Sequence, residues 1–210
     1  MRHSKPTIGR TDESHKLYST QKEKADLESR NGLLQFDYVV RIIEDSNGTL
    51  ALTPDIIKRL HLLTIKDIYT CAGNFRDGAI GIMNSNHQPP HADQVPVLVD
   101  KMCEYANQHQ GDAIHVAAYL MWRINWVHPF SGGNGRTSRA VSYLALSVSL
   151  NLLLPGSPTI PDQIMAHRDP YYEALEAADT TFACGDLDLG LMEGLISALL
   201  EKQLGSGHGP

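Results

Sequence analysis

The densest concentration of chemically able residues is the stretch His128-Pro-Phe-Ser-Gly-Gly-Asn-Gly-Arg-Thr-Ser-Arg139. The imidazole of His128 is the one side chain there whose unperturbed pKa lies near neutrality, so it can take a proton from an attacking hydroxyl. Behind it, Ser131, Gly132, Gly133, Asn134 and Gly135 make a loop of small residues that opens a helix, where backbone N–H groups can converge on an anion. Glycine keeps side chains out of the approach path and permits positive φ. Arg136 and Arg139 stand i, i+3 and share one face of that helix. Cations at a helix start oppose its macrodipole, a modest cost that an anion between them would offset. This is the pattern of a phosphate site with a base at its mouth. The same residues also suit a capped helix-helix turn, with its histidine satisfied locally and its arginines on the surface.

The elements that must hold this loop are helical. Apolar positions at Ile114, Ala117, Ala118, Met121, Ile124 and Trp126 or Val127 recur near a 3.6-residue period, predicting a helix over 112–127. Pro129 disfavours helical geometry at His128 and ends it there. The next helix is predicted from near Asn134 to about Leu154, where Pro155-Gly156 stops it, with Phe130 anchoring the intervening loop in the core. Upstream, 23–44 reads as two helices broken at Asn31-Gly32, and 53–70 as a further helix opened by Thr-Pro-Asp. Residues 93–107 read as helix, and 161–204 as one or two more. The stretch from Gly73 to Pro90 is rich in turn formers and is the one strand candidate, a small hairpin or flap. The expected fold is all-α, a helical bundle with a small β-hairpin flap beside the loop. Its expected parts are a flexible tail over 1–20, N-terminal helices over 21–59 with a regulatory role, a core domain over 60–204 and a flexible tail over 205–210.

Composition narrows the partners. A length of 210 residues, 42% of them hydrophobic, suits one domain with a real core. The net charge of −6, without a basic stripe, argues against nucleic acid. The run from Ala140 to Leu154 is interrupted by polar residues and is shorter than the roughly 20 residues a bilayer requires, so no membrane association is expected. Cys71, Cys103 and Cys184 are odd in number and widely spaced, and the N-terminus lacks an apolar leader, which together lead to an expectation of the cytoplasm. Export by a route that needs no signal, and a homo-oligomer, are left open.

The loop resembles the signature of the Fic/DOC family, H-x-F-x-D/E-G-N-G-R-x-x-R, which it matches at His128, Phe130, Gly133, Asn134, Gly135, Arg136 and Arg139, seven of eight fixed positions. The likeness extends over residues 60 to 200. Ala72-Gly-Asn-Phe-Arg76 and Gln88-Pro-Pro90 are similar to the borders of the family's flap, and Tyr171 to Asp179 to its nucleoside-side helix. The resemblance implies a protein adenylyltransferase that moves AMP from ATP to a Ser, Thr or Tyr hydroxyl of a target protein. His128 would be the general base, and Gly133, Asn134 and Gly135 would hold the inner phosphates. Ser131 and Gly132 lie in the same phosphate loop, and Arg136 and Arg139 would take the outer phosphates. Tyr172 and Asp179 would face the nucleoside or simply pack their helix, and Ile80 and Ile82 would hold the target by strand addition or belong to an ordinary surface hairpin.

One position departs from the pattern. The family's Asp or Glu, which holds Mg²⁺, is replaced by Gly132, which has no side-chain ligand. Either another group holds a weaker metal, or the reaction runs without one, with another transferred group such as a different nucleotide, phosphate or phosphocholine, or the domain binds nucleotide without turnover. Many relatives also carry an inhibitory Ser/Thr-x-x-x-Glu-Gly/Asn helix whose glutamate pairs with the residue at Arg139. Glu28 is the favoured candidate here, ahead of Glu23 and Glu201, and a solvated helix face is the alternative for all three. His87, His91, His109 and His115 show no spacing that makes a metal site.

Overall fold

The computed structural model describes residues 15–82 and 85–206. Eight α-helices lie among them: α1 Gln21–Asp45, α2 Pro54–Ile65, α3 Val95–Gln108, α4 Ala113–Val127, α5 Asn134–Ser149, α6 Ile160–Ala166, α7 Asp169–Ala183 and α8 Gly190–Ser206. The expectations for residues 1–14 and 207–210 fall outside the described residues.

The centre of the bundle is the pair α4 and α5. Positions 116–122, Ile124 and Val127 of α4 are all buried, and so are Thr137, Ser138 and every residue from Ala140 to Val148 in α5. A helix buried on nearly all sides cannot be amphipathic, and these two are enclosed by α1, α2, α3, α7 and α8. Ser142 buries its hydroxyl by donating to the Ala117 carbonyl of α4 at 2.8 Å, which satisfies it inside the core. The two helices leave the loop 128–133 between them at one end of the bundle, with Phe130 wholly buried as its anchor.

Besides α2, which ends at Ile65 where the sequence reading ran to residue 70, three features differ from that reading. First, α1 runs unbroken through Asn31-Gly32. One glycine costs a helix only about 1 kcal/mol, and Asn31 is buried where its amide donates to the Lys66 carbonyl at 2.7 Å. Second, α5 ends at Ser149, five residues early, because Asn151 takes a left-handed conformation. Third, the C-terminal part holds three helices, and α6 is set apart by a reciprocal cap between Thr159 and Asp162.

The hairpin flap is not formed among the described residues. Residues 74–82 and 85–91 form neither helix nor paired strand. The groups that would pair within a hairpin are claimed elsewhere: the Arg76 N–H donates to the Pro129 carbonyl at 2.9 Å, and the Arg76 guanidinium donates to the carbonyls of Gly78 and Pro90. Pro89 and Pro90 bring no N–H at all.

Candidate active site

His128 caps α4 in a left-handed conformation, φ 48° and ψ 58°. That geometry is uncommon for histidine. It turns the chain from α4 into the loop, and it is held by Arg76. The Arg76 guanidinium is buried and donates to the carbonyls of His128 at 2.7 Å and Val127 at 3.3 Å, besides those of Gly78 and Pro90. One side chain thus ties the segment between α2 and α3, the end of α4 and the loop together. The His128 ring places Nδ1 3.2 Å from the Asn125 carbonyl. A carbonyl only accepts, so Nδ1 carries the proton and Nε2 keeps its lone pair. Burial pushes the His128 pKa down to about 4, opposed by the Asn125 bond and helped by Arg76 and His87. At neutral pH the ring is therefore an uncharged base.

The loop behind it is built around His61 of α2, which is wholly buried. Its Nδ1 accepts from the Gly73 N–H at 3.0 Å, so its Nε2 carries the proton and donates to the Gly132 carbonyl at 2.9 Å. The ring stacks on Phe130 with centroids 3.6 Å apart and planes 9° from parallel. Burial lowers its pKa to about 4, which keeps the neutral tautomer that both bonds require. Gly133 follows at φ 77°, and a Cβ there would meet Ile65 at 3.1 Å and the His61 ring at 3.4 Å. Only glycine satisfies both the backbone and the space.

Asn134 closes the loop on itself: its Oδ1 accepts from the Phe130 N–H at 3.0 Å and its Nδ2 donates to the Phe130 carbonyl at 2.7 Å. Its side chain is used up in this way, leaving the backbone N–H for a ligand. α5 has no side-chain cap at its start, so the N–H groups of its first turn remain available to an anion. Ser131 lies half-buried beside them. Arg139 folds back toward Gly135, with Nη1 3.4 Å from the position of a Cβ there. Burial lowers its pKa, and no carboxylate pairs with it among the described residues. Arg136 is paired, with Nη1 3.1 Å from Glu28 Oε1 of α1. The structure therefore places Glu28 against the first arginine of the loop, where the resemblance implied the second. Glu23 accepts from the Ser19 N–H at the start of α1, and Glu201 is exposed on α8.

On the α7 side, Tyr172 is 53% exposed, whereas Tyr171 is buried and bonded to Asn125 at 2.9 Å. Asp179 accepts from the Trp122 indole N–H at 2.8 Å, and burial raises its pKa. His87, set aside on sequence, donates from Nε2 to the Trp126 carbonyl at 2.7 Å and turns Nδ1 toward Asp179 at 3.9 Å. His87 thereby joins the segment between α2 and α3 to α4 and α7 beside His128. Ile80 and Ile82 are half-buried in that segment. Sequence reasoning missed Arg76, His61 and His87 as parts of this site, since each acts through contacts made across 39 or more residues.

The expected Mg²⁺ finds no matching donor set. Gly132 offers only its carbonyl, already engaged by His61, and no group of three His, Cys, Asp or Glu suited to a metal lies among the described residues. No helix there is long and apolar enough to cross a membrane. The three cysteines are unpaired.

Fold and site together define a helical domain with a neutral, half-buried histidine beside a helix start that has no side-chain cap. The chain matches the Fic/DOC family over residues 51–146. It is 28% identical over 168 residues to a protein named "Protein adenylyltransferase Fic" from Aedes aegypti, covering 73% of this chain and 30% of that one. The chain thus spans about a third of the length of such curated relatives. Among solved structures, a Fic family protein from Desulfovibrio desulfuricans G20 superposes with a TM-score of 0.68 at 20% identity, over 92% of this chain and 57% of the other. A Fic domain containing signaling protein from Bacteroides thetaiotaomicron VPI-5482 gives 0.69 at 16% identity, over 90% and 72%.

Proposed function

We propose that this domain transfers AMP from ATP to a Ser, Thr or Tyr hydroxyl of a target protein. The observation that carries this reading is the His128 ring, whose Nδ1–H is fixed on the Asn125 carbonyl while burial keeps Nε2 unprotonated. In the proposed step the target hydroxyl gives its proton to Nε2 as its oxygen bonds to the α-phosphorus. The bond to the β-phosphate oxygen breaks and pyrophosphate leaves. The free N–H groups at the start of α5 are suited to the inner phosphates, and Arg139 and Arg136 to the outer ones. Tyr172 and Asp179 would flank the nucleoside. The segment with Ile80 and Ile82, which has no strand partner among the described residues, would receive the target backbone by strand addition. The name of the Aedes aegypti relative agrees with this chemistry.

Glu28 would act as a brake, since its bond to Arg136 occupies a cation that the outer phosphates would use. The pair is partly exposed and contributes no more than about 1 kcal/mol, so a nucleotide can displace it.

Gly132 favours a second reading, in which the domain binds nucleotide without turning it over or moves a different phosphate-containing group. Incubation with ATP labelled at the α-phosphate and a protein extract separates the two. Adenylyl transfer predicts labelled protein that is lost in His128→Ala, with an added mass of AMP by mass spectrometry. Label that persists in His128→Ala removes the proposed base. No label in wild type, with label appearing in Gly132→Asp, favours the binding-only reading.

A further inference from the structure

A cavity of about 520 Å³ lies between α1, α5 and α6, within the size range of small-molecule sites. Its body is apolar, formed by Phe36, Val39, Tyr143 and Met165, and His128 does not line it. At the start of α5 it reaches Arg136, Arg139 and Glu28. Of the two carboxylates in the lining, Asp162 is bonded within its own helix cap at 2.6 Å from Thr159 Oγ1, and Glu28 is shared between Arg136 and Lys24. Among the described residues Arg139 is left as a cation without a carboxylate, and it lines this largely apolar space.

α1 is held from its other side. Asn31 and Gln35 donate to the carbonyls of Lys66 and Leu60, and Arg30 pairs with Asp67 at 2.6 Å. Facing the cavity, Phe36 and Met165 are each 42% exposed, and a Cβ built on Gly32 meets nothing within 4 Å. The helix is thus clamped to α2 by polar contacts, and although Phe36 reaches the Tyr143 ring of α5 with centroids 6.4 Å apart, a cavity with apolar walls remains between α1, α5 and α6.

We infer that this cavity binds a small soluble amphipathic anion, a single carboxylate or phosphate head on an aliphatic or aromatic body. The head takes Arg139 and competes with Glu28 for Arg136, and the body lies against Phe36, Tyr143 and Met165. Charge-assisted bonds to arginine fix the head, and apolar burial holds the rest. Binding rests on the cavity alone. Its consequence, release of Glu28 and so control of transfer, rests on the function proposed above.

The test is calorimetric titration of the full chain with decanoate below its micellar concentration, with decyl phosphate, and with decan-1-ol. Both anions should bind, the alcohol at least tenfold more weakly. Gly32→Leu fills the cavity from a position with open space and improved helix propensity, and Phe36→Ala strips one wall. Each should weaken decanoate at least tenfold, with far-UV circular dichroism showing that both fold. Saturating AMP, which lacks the outer phosphates, should leave decanoate binding in place. Absence of binding to wild type, equal binding to Gly32→Leu, or displacement by AMP would overturn the proposal. His128→Ala should bind decanoate like wild type, so failure of the transferase reading leaves this result readable.

Discussion

The buried neutral His61 makes the stability of the whole loop depend on pH. Its Nδ1 must stay unprotonated to accept from Gly73, and burial holds its pKa at about 4 against 6.5 when exposed. Because the folded value lies below the unfolded one, the unfolded chain binds the extra proton between these pH values. Stability is kept above pH 6.5 and is lost as pH falls toward 4. Over the full shift of two to three pH units the loss is about 3 kcal/mol, at roughly 1.4 kcal/mol per unit. Between pH 7 and pH 5 this one group should cost about 2 kcal/mol. The measurement is urea unfolding followed by circular dichroism at both pH values, for wild type and His61→Gln. Other titrating groups contribute alike to both proteins, so the difference between their pH responses isolates His61. A variant less stable at pH 7 but about 2 kcal/mol less sensitive to acid is the expected result. If the two proteins lose the same stability from pH 7 to 5, the buried ring is not held neutral and the account of the loop fails.

Three further outcomes follow from the same geometry. Gly133→Ala should destabilise by about 2–4 kcal/mol, from the left-handed backbone and the crowding by Ile65 and His61, lowering Tm by roughly 4–16 °C. Arg76→Lys keeps the charge but cannot span the four carbonyls that the guanidinium reaches, so it should cost about 2–4 kcal/mol, read by urea unfolding, with faster proteolysis between residues 77 and 90. The rate of AMP transfer should hold steady from pH 7.5 down to 5.5, since His128 loses its base form only near pH 4; a fall centred near pH 6.5 would show an exposed ring.

The sequence by itself determined the helical bundle and the place of the loop. Apolar periodicity placed α4, Pro129 ended it at His128, and the spacing of Arg136 and Arg139 put two cations on one face at the start of α5. These are local properties of the chain, carried by residues within a few positions of one another. The break at Asn31-Gly32 and the hairpin at 73–90 were local readings too, and both yielded to distant partners: Lys66 for Asn31, and Pro129 and His128 for Arg76. The protonation of His128 could not be read from its neighbours in sequence, because it depends on burial and on Asn125, Arg76 and His87. Nor could the support of Gly132 by His61, 71 residues away, or the meeting of Glu28 with Arg136, 108 residues away. Secondary structure follows from periodicity and punctuation along the chain. Which ring stays neutral, which arginine is paired and which is left open follow from desolvation and long-range hydrogen bonds, and these exist only once the helices have packed.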